Sequence, residues 1–215
     1  MTLTMNLRIT LAALALACIG VTGCRKDPVD ALSNEERRIY ITNRDSTVNF
    51  ASYKTFSMAE DVVVVDGSNG SRQLTTADRA FMQAFTSAME SRGYTLVTKS
   101  ATPDLGVQVS RIIRTSTGVM SVPDYYGYWD PMFWGPGFGS GFGGWGAPTF
   151  WYTTTYQVRE GMLAVDLVDL KNASTNNNLR VVWNGLIRGA GLNDASAAAG
   201  QAAQLFEQSP YLQSN

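Results

Sequence analysis

The chain has 215 residues, of which 45% are hydrophobic and 16% charged, with a formal net charge of −1. That length supports one domain with a real core behind an N-terminal leader, and so even a balance of charge leaves no electrostatic footprint for nucleic acid. Two cysteines and no histidine remove the commonest zinc ligands and any Ser-His-Asp or Cys-His catalytic arrangement, so no metal and no cofactor is expected.

Residues 1–23 have the anatomy of a secretory signal peptide: Arg8, then the apolar run Ile9–Ile19, then small residues. The run is too short to span a bilayer as a mature anchor. The segment ends Val21-Thr22-Gly23-Cys24, which resembles a bacterial lipobox. The resemblance implies cleavage before Cys24, a diacylglycerol on its sulfur and an acyl group on its new amino terminus. Two or more chains anchor stably where one does not, so the membrane is the first expected partner, held through Cys24. Arg25 stands where an aspartate would mark inner-membrane retention, and by resemblance to Gram-negative lipoproteins the outer membrane is the expected location. Residues 24–38 read as the lipidated cysteine and a polar tether, with a short helix over Ala31–Arg38 as the alternative.

A single domain is expected over 39–215. Ile39 to Phe56 alternates loosely, with Val48, Phe50, Tyr53 and Phe56 inward, and predicts a strand ending near Phe50 and a short second strand. Val62–Val65 is a β-branched run and predicts a strand, closed by a surface loop over Asp66–Gly70. Thr75 to Arg92 predicts a helix: Ala77, Phe81, Ala84, Phe85, Ala88 and Met89 make one apolar stripe, Thr75 with Asp78 forms a capping box, and Gly93 follows the last turn. Tyr94–Thr98 predicts a short strand, and Leu105, Val107 and Val109 one face of the next.

The following stretch is unlike the rest. Of the 32 residues from Ser121 to Tyr152, twelve are aromatic, eight are glycine and four are proline. It is read as an insertion (119–150) between two strands of one sheet. Its glycines lack the Lys and Ser/Thr of a phosphate loop. Three readings stand for its aromatics: a second small core over the open sheet face, an exposed surface that docks on envelope protein or membrane, or a stacking surface for glycan. The candidate binding surface is Tyr125, Tyr126, Trp129, Phe133, Trp134 and Trp145.

Beyond it, Trp151–Val158 predicts a strand and Glu160-Gly161 a turn or bulge. Met162–Leu170 puts Leu163, Val165 and Leu167 on one face, and Ala164, Asp166 and Val168 on the other. Lys171–Asn178 is a polar turn, and in the partner strand Leu179–Ile187 the residues Val181, Trp183 and Ile187 share a face. Asn193 or Asp194 caps a last helix with the stripe Ala195, Ala198, Ala199, Ala202, Ala203 and Phe206, ended by Pro210. The fold class is α+β: two layers, a mostly antiparallel sheet, two helices on one face and the long Gly/aromatic insertion between strands.

Phe50-Ala51-Ser52-Tyr53-Lys54-Thr55-Phe56 resembles the F-x-x-Y-K-T-[YF] opening of an envelope lipoprotein family catalogued as domain-of-unknown-function family 4136. In the family's order, Ser91-Arg92-Gly93-Tyr94 resembles its RGY, Pro103-Asp104-Leu105 its PDL, Gly161–Asp169 its GTLVIDLVD, and Val182-Trp183-Asn184-Gly185 its LVWRG. The resemblance implies a lipid-anchored two-layer domain of the cell envelope and carries over no catalytic residue. Asn184 stands where the family has a basic residue.

One carboxylate group invites a catalytic reading. Asp166 and Asp169, with Glu160 nearby, could serve glycoside hydrolysis if two faced each other about 5 to 10 Å apart across a cleft. The plainer reading puts Asp166 on a solvated or edge face and Asp169 at the start of the turn before Asn172. A buried Asp166 would need a partner, with Arg111, Arg114 and Arg180 as candidates. The expected function is a non-enzymatic interaction or structural module of the envelope. The alternative is a glycan-binding or glycan-hydrolysing protein using the aromatic insertion with Asp166 and Glu160.

Overall fold

In the computed structural model, which describes residues 32–67, 69–115, 119–121, 155–157, 161–173 and 179–214, the first strand β1 is Ile39–Arg44. It stops well short of Phe50, and Asp45 is the reason. Its carboxylate accepts from the Thr47 amide at 3.0 Å and the Thr47 hydroxyl at 2.7 Å, a local turn that competes with strand pairing. Phe50 then begins a single 3-10 turn, Phe50–Ser52, capped by Asn49. Phe50, Tyr53 and Phe56 all point inward as the spacing predicts.

The remaining strands are β2 (Thr55–Met58), β3 (Val62–Gly67), β4 (Asn69–Gln73), β5 (Thr95–Leu96), β6 (Leu105–Thr115), β7 (Val119–Ser121), β8 (Thr155–Gln157), β9 (Met162–Asp169) and β10 (Arg180–Arg188). The helices are α1 (Thr76–Ser91) and α2 (Ala198–Glu207). One sheet runs in the order β1-β10-β9-β6-β2-β5, with β3 also on β6 and β4 on β3. It is mixed. The β1-β10-β9-β6 half and the β3-β4 hairpin are antiparallel, whereas β2 and β3 lie end to end along β6 and run parallel to it, as β5 does to β2.

Several boundaries differ from the sequence reading. The expected loop over Asp66–Gly70 is the tight end of the β3-β4 hairpin, where Asp66 pairs with Asn69 and Gly67 takes φ +69°. The strand expected over Trp151–Val158 is Thr155–Gln157, and it pairs with β7 in a separate two-stranded ladder. Strand pairing therefore reaches into the span assigned to the insertion. A bulge between Val181 and Trp183 resets β10, so that Val182 joins Trp183 and Ile187 in the main core in place of Val181.

α1 and α2 pack on one face of the sheet over Leu105, Val107, Val109, Leu163, Val165 and Leu167. Thr75 and Asp78 form the capping box in full, each side chain taking the other's backbone amide. Gly93 takes φ +87° past the last turn. α2 is rotated from the predicted alanine stripe. A 3-10 turn over Ala195–Ala197, capped by Asp194, precedes it, and the buried set is Ala198, Gln201, Ala202, Leu205 and Phe206, while Ala199 and Ala203 face solvent. Leu205 offers more apolar area than an alanine, and this phase buries it.

Two terminal segments belong to the fold. Residues 33–38, assigned to the tether, form a hydrogen-bonded turn: Arg37 N–H donates to Ser33 O, and Arg38 reaches Ala190 O at 3.1 Å and Gly191 O at 3.2 Å. Gly189 (φ +122°) lies so close beneath that a Cβ there would run into the Arg37 carbonyl. Past Pro210 the chain runs back under the core. Leu212 is fully buried, Ser214 N–H donates to Arg92 O at 2.9 Å, and its hydroxyl donates to Tyr53 O at 2.9 Å.

Candidate functional site

Four polar residues stand abreast across four strands. Gln108 on β6 is in register with Asp166 on β9, Asp166 with Asn184 on β10, and Asn184 with Asn43 on β1. Alternation places this row on the sheet face opposite the helices, and Asp166 is fully buried (0% exposed). This corrects the placement of Asp166 on a solvated or edge face: β9 is central, paired on both sides. The partner that the described residues give it is an amide, whereas two of the expected arginines pair elsewhere. Asn184 Nδ2 donates to Asp166 Oδ1 at 2.6 Å, and Asn43 Nδ2 approaches Asn184 Oδ1 at 3.5 Å. Arg111 instead lies 3.4 Å from Asp78, and Arg180 pairs with Asp45; the Arg114 side chain is outside the described residues. At Asn184 this chain therefore holds a neutral amide against a buried carboxylate.

Asp169 turns to the other face. Its oxygens accept from the Asn172 amide at 3.0 Å and from Asn172 Nδ2 at 2.7 Å, so it starts the turn as expected. The Tyr53 phenol lies within electrostatic reach of it. Burial, followed by the charge of Asp169, pushes the Tyr53 phenol well above its ordinary value. The two aspartates are thus three residues apart in sequence, on opposite faces of one strand, and each is an acceptor in a fixed local network. They form no facing pair. Glu160 and the six aromatics Tyr125, Tyr126, Trp129, Phe133, Trp134 and Trp145 lie outside the described residues, as does Cys24.

The structure also joins residues that the sequence left far apart. Asp104 accepts from the Lys54 amide at 2.6 Å and the Thr55 amide at 3.3 Å, and returns its own amide to Thr55 Oγ1 at 3.0 Å. Lys171 Nζ donates to Ser52 O at 2.7 Å and lies 3.8 Å from Asp104. The F-x-x-Y-K-T, PDL and LVD motifs therefore meet at one end of the sheet, where Asp104 ties Lys54 and Thr55 at the start of β2 to Leu170 and Lys171 just past β9, and Asp169 lies in register with Leu105. The other motifs are also structural. Tyr94 Oη donates to Phe50 O at 3.3 Å, Trp183 Nε1 donates to Ser209 Oγ at 3.0 Å, and a Cβ on Gly185 would fall 2.5 Å from the Trp183 ring. Motif order carries no register, and the register is what brings Asp166 beside Asn184. Among the described residues no group of three or more acidic or cysteine side chains is placed to hold a metal, and no helix is long and apolar enough to cross a membrane.

No curated protein matches this chain. A crystal structure of a DUF4136 family protein from Bacteroides thetaiotaomicron VPI-5482 is similar to it, with 28% sequence identity and a TM-score of 0.68, over 82% of this chain and 98% of that one. The family described as a domain of unknown function (DUF4136) matches residues 41–211, which run from β1 to the C-terminal segment that closes the core. The chain belongs to the DUF4136 family.

Proposed function

We propose that the protein is a lipid-anchored lipoprotein of the outer membrane whose domain is a non-enzymatic interaction module. Its docking surface would be the aromatic side chains of Tyr125, Tyr126, Trp129, Phe133, Trp134 and Trp145. The observation that supports the non-enzymatic reading is the placement of Asp166 and Asp169 on opposite faces, with Asp166 fully buried against Asn184. A hydrolase needs a carboxylate open to its substrate and a second one facing it. The spacing of Cys24 after its apolar run supports the anchor, and the density of Trp and Tyr between two strands supports a docking role, since such rings suit half-wet contacts.

Two measurements test this reading. Cys24→Ser should move the protein from the membrane pellet to the soluble fraction; a variant that still pellets with membranes refutes the anchor. Replacing Tyr125, Tyr126, Trp129 and Trp134 by serine should leave the melting temperature unchanged and abolish co-purification of envelope proteins. Retention of every partner would refute docking, and a large fall in melting temperature would assign those rings to a core instead.

A further inference from the structure

Among the described residues the sheet ends at β5, a strand of two residues. Thr95 N–H donates to Lys54 O at 2.9 Å and Val97 N–H to Phe56 O at 2.8 Å, the ladder of a parallel pair. On the other side of β2, Ala59 N–H donates to Val107 O at 2.9 Å. Successive strand residues direct their backbone groups to alternate edges. Ser57 and Ala59 thus face β6, while the N–H and C=O of Met58 point the same way as those of Phe56, toward β5. By that point β5 has ended. After Val97 the chain turns away into the 3-10 turn Lys99–Ala101, and Thr102 takes φ 52°. The splayed strands leave a cleft of 530 Å³ between Ser57, Met58 and Glu60 on one wall and Leu96 to Lys99 on the other. Leu96 is 43% exposed at its rim, and Glu60 stands exposed beside it.

The opposite edge of the sheet is built differently. On β1 the outward carbonyl of Tyr40 accepts from Gln208 Nε2 at 3.3 Å, and the Arg44 guanidinium lies 4.1 Å over the Tyr211 ring. Covered carbonyls and charged side chains are how proteins blunt an edge strand. The β5 edge carries Glu60 and Lys99 as well, but Leu96 lies exposed at its rim and the Met58 backbone donor and acceptor are aimed into the cleft.

We propose that this cleft docks an extended peptide segment of another protein, which continues the sheet from Met58 by strand addition. Backbone pairing with Met58 supplies the register. An aliphatic side chain of the peptide covers Leu96, and a basic residue meets the Glu60 carboxylate. The site draws on neither Cys24 nor the aromatic insertion, so it stands or falls separately from the function proposed above.

The test begins with amide hydrogen exchange on the full-length protein, without any ligand. The Ala59 amide should be protected and the Met58 amide should exchange at least ~100-fold faster; equal protection means the edge is already closed and overturns the proposal. The peptide Thr-Val-Thr-Val-Lys-Thr is then titrated to millimolar concentration. It should shift the amides of Met58 and of Val97 to Lys99, bind about tenfold more weakly to Leu96→Lys, and lose binding when N-methylated along its pairing edge. No shift at Met58, or equal binding of the methylated peptide, rules strand addition out. Leu96 lies on the surface, so an unchanged circular dichroism spectrum separates lost binding from lost fold.

Discussion

At the residue scale, Asp166 shows how much of a buried carboxylate's behaviour is decided by its cross-strand neighbours. Removing an acceptor from a buried donor costs more than the hydrogen bond itself contributes, because the donor left behind stays desolvated. Asp166→Ala strips Asn184 Nδ2 of an acceptor at 2.6 Å in a site where Asn184 is only 2% exposed. We expect a loss of about 1–3 kcal/mol by urea denaturation. The Asp166→Ala/Asn184→Ala double variant should lose less than the sum of the two single changes. Strict additivity would mean that the two side chains do not act as a pair. The sequence alone exposed the oddity, an aspartate inside an apolar strand, and even the need for a partner. It named Arg111, Arg114 and Arg180; Arg111 and Arg180 pair elsewhere, and the ladder registers place Gln108 and Asn184 directly beside Asp166.

At the element scale, legibility followed locality. α1 was readable to its caps, because the capping box, the apolar stripe and Gly93 all act within one turn of their neighbours. The inward face of β6 and β9 was readable for the same reason. Pairing direction was not, since nothing within β2 or β3 distinguishes a parallel partner from an antiparallel one. The C-terminal segment was missed altogether. It has no periodicity, and Pro210 signals only the end of a helix. Yet Ser209 accepts from Trp183, Tyr211 packs on Phe50 with ring centroids 5.6 Å apart, and Leu212 is fully buried. Truncation after Gln208 exposes that leucine site and orphans the indole N–H, so it should cost at least ~3 kcal/mol. Gln213→Ala, at an exposed position within the same segment, should leave the urea midpoint unchanged. A truncated protein of wild-type stability would show that the segment merely decorates the core.

At the scale of the whole molecule, the absence of histidine and the presence of two buried phenols shape the response to pH. No histidine is present to titrate between about pH 5 and 8. Above it the phenols take over. Burial raises Tyr53, with Asp169 adding to the effect, and burial raises Tyr94 as well, both from an ordinary value of 10.0. A raised folded-state pKa means that the unfolded chain releases the proton first. The stabilisation is complete below pH 10 and is lost progressively as pH climbs beyond it. Chemical denaturation at pH 9 and 11 should show that fall, and Tyr53→Phe should make it shallower; a flat profile to pH 11 would mean that the phenols ionise freely in the native state. The clamp of Arg37 and Arg38 on Gly189–Gly191 adds one more consequence. It shortens the leash. With Cys24 lipidated, only about nine residues link the lipid to the clamped turn, a reach of at most ~30 Å. That leash leaves beside β1, and five strand spacings, roughly 24 Å, separate β1 from β5. Under the anchoring proposed above, the domain would have a tethered side and an outboard side, with the splayed edge at Met58 on the outboard one.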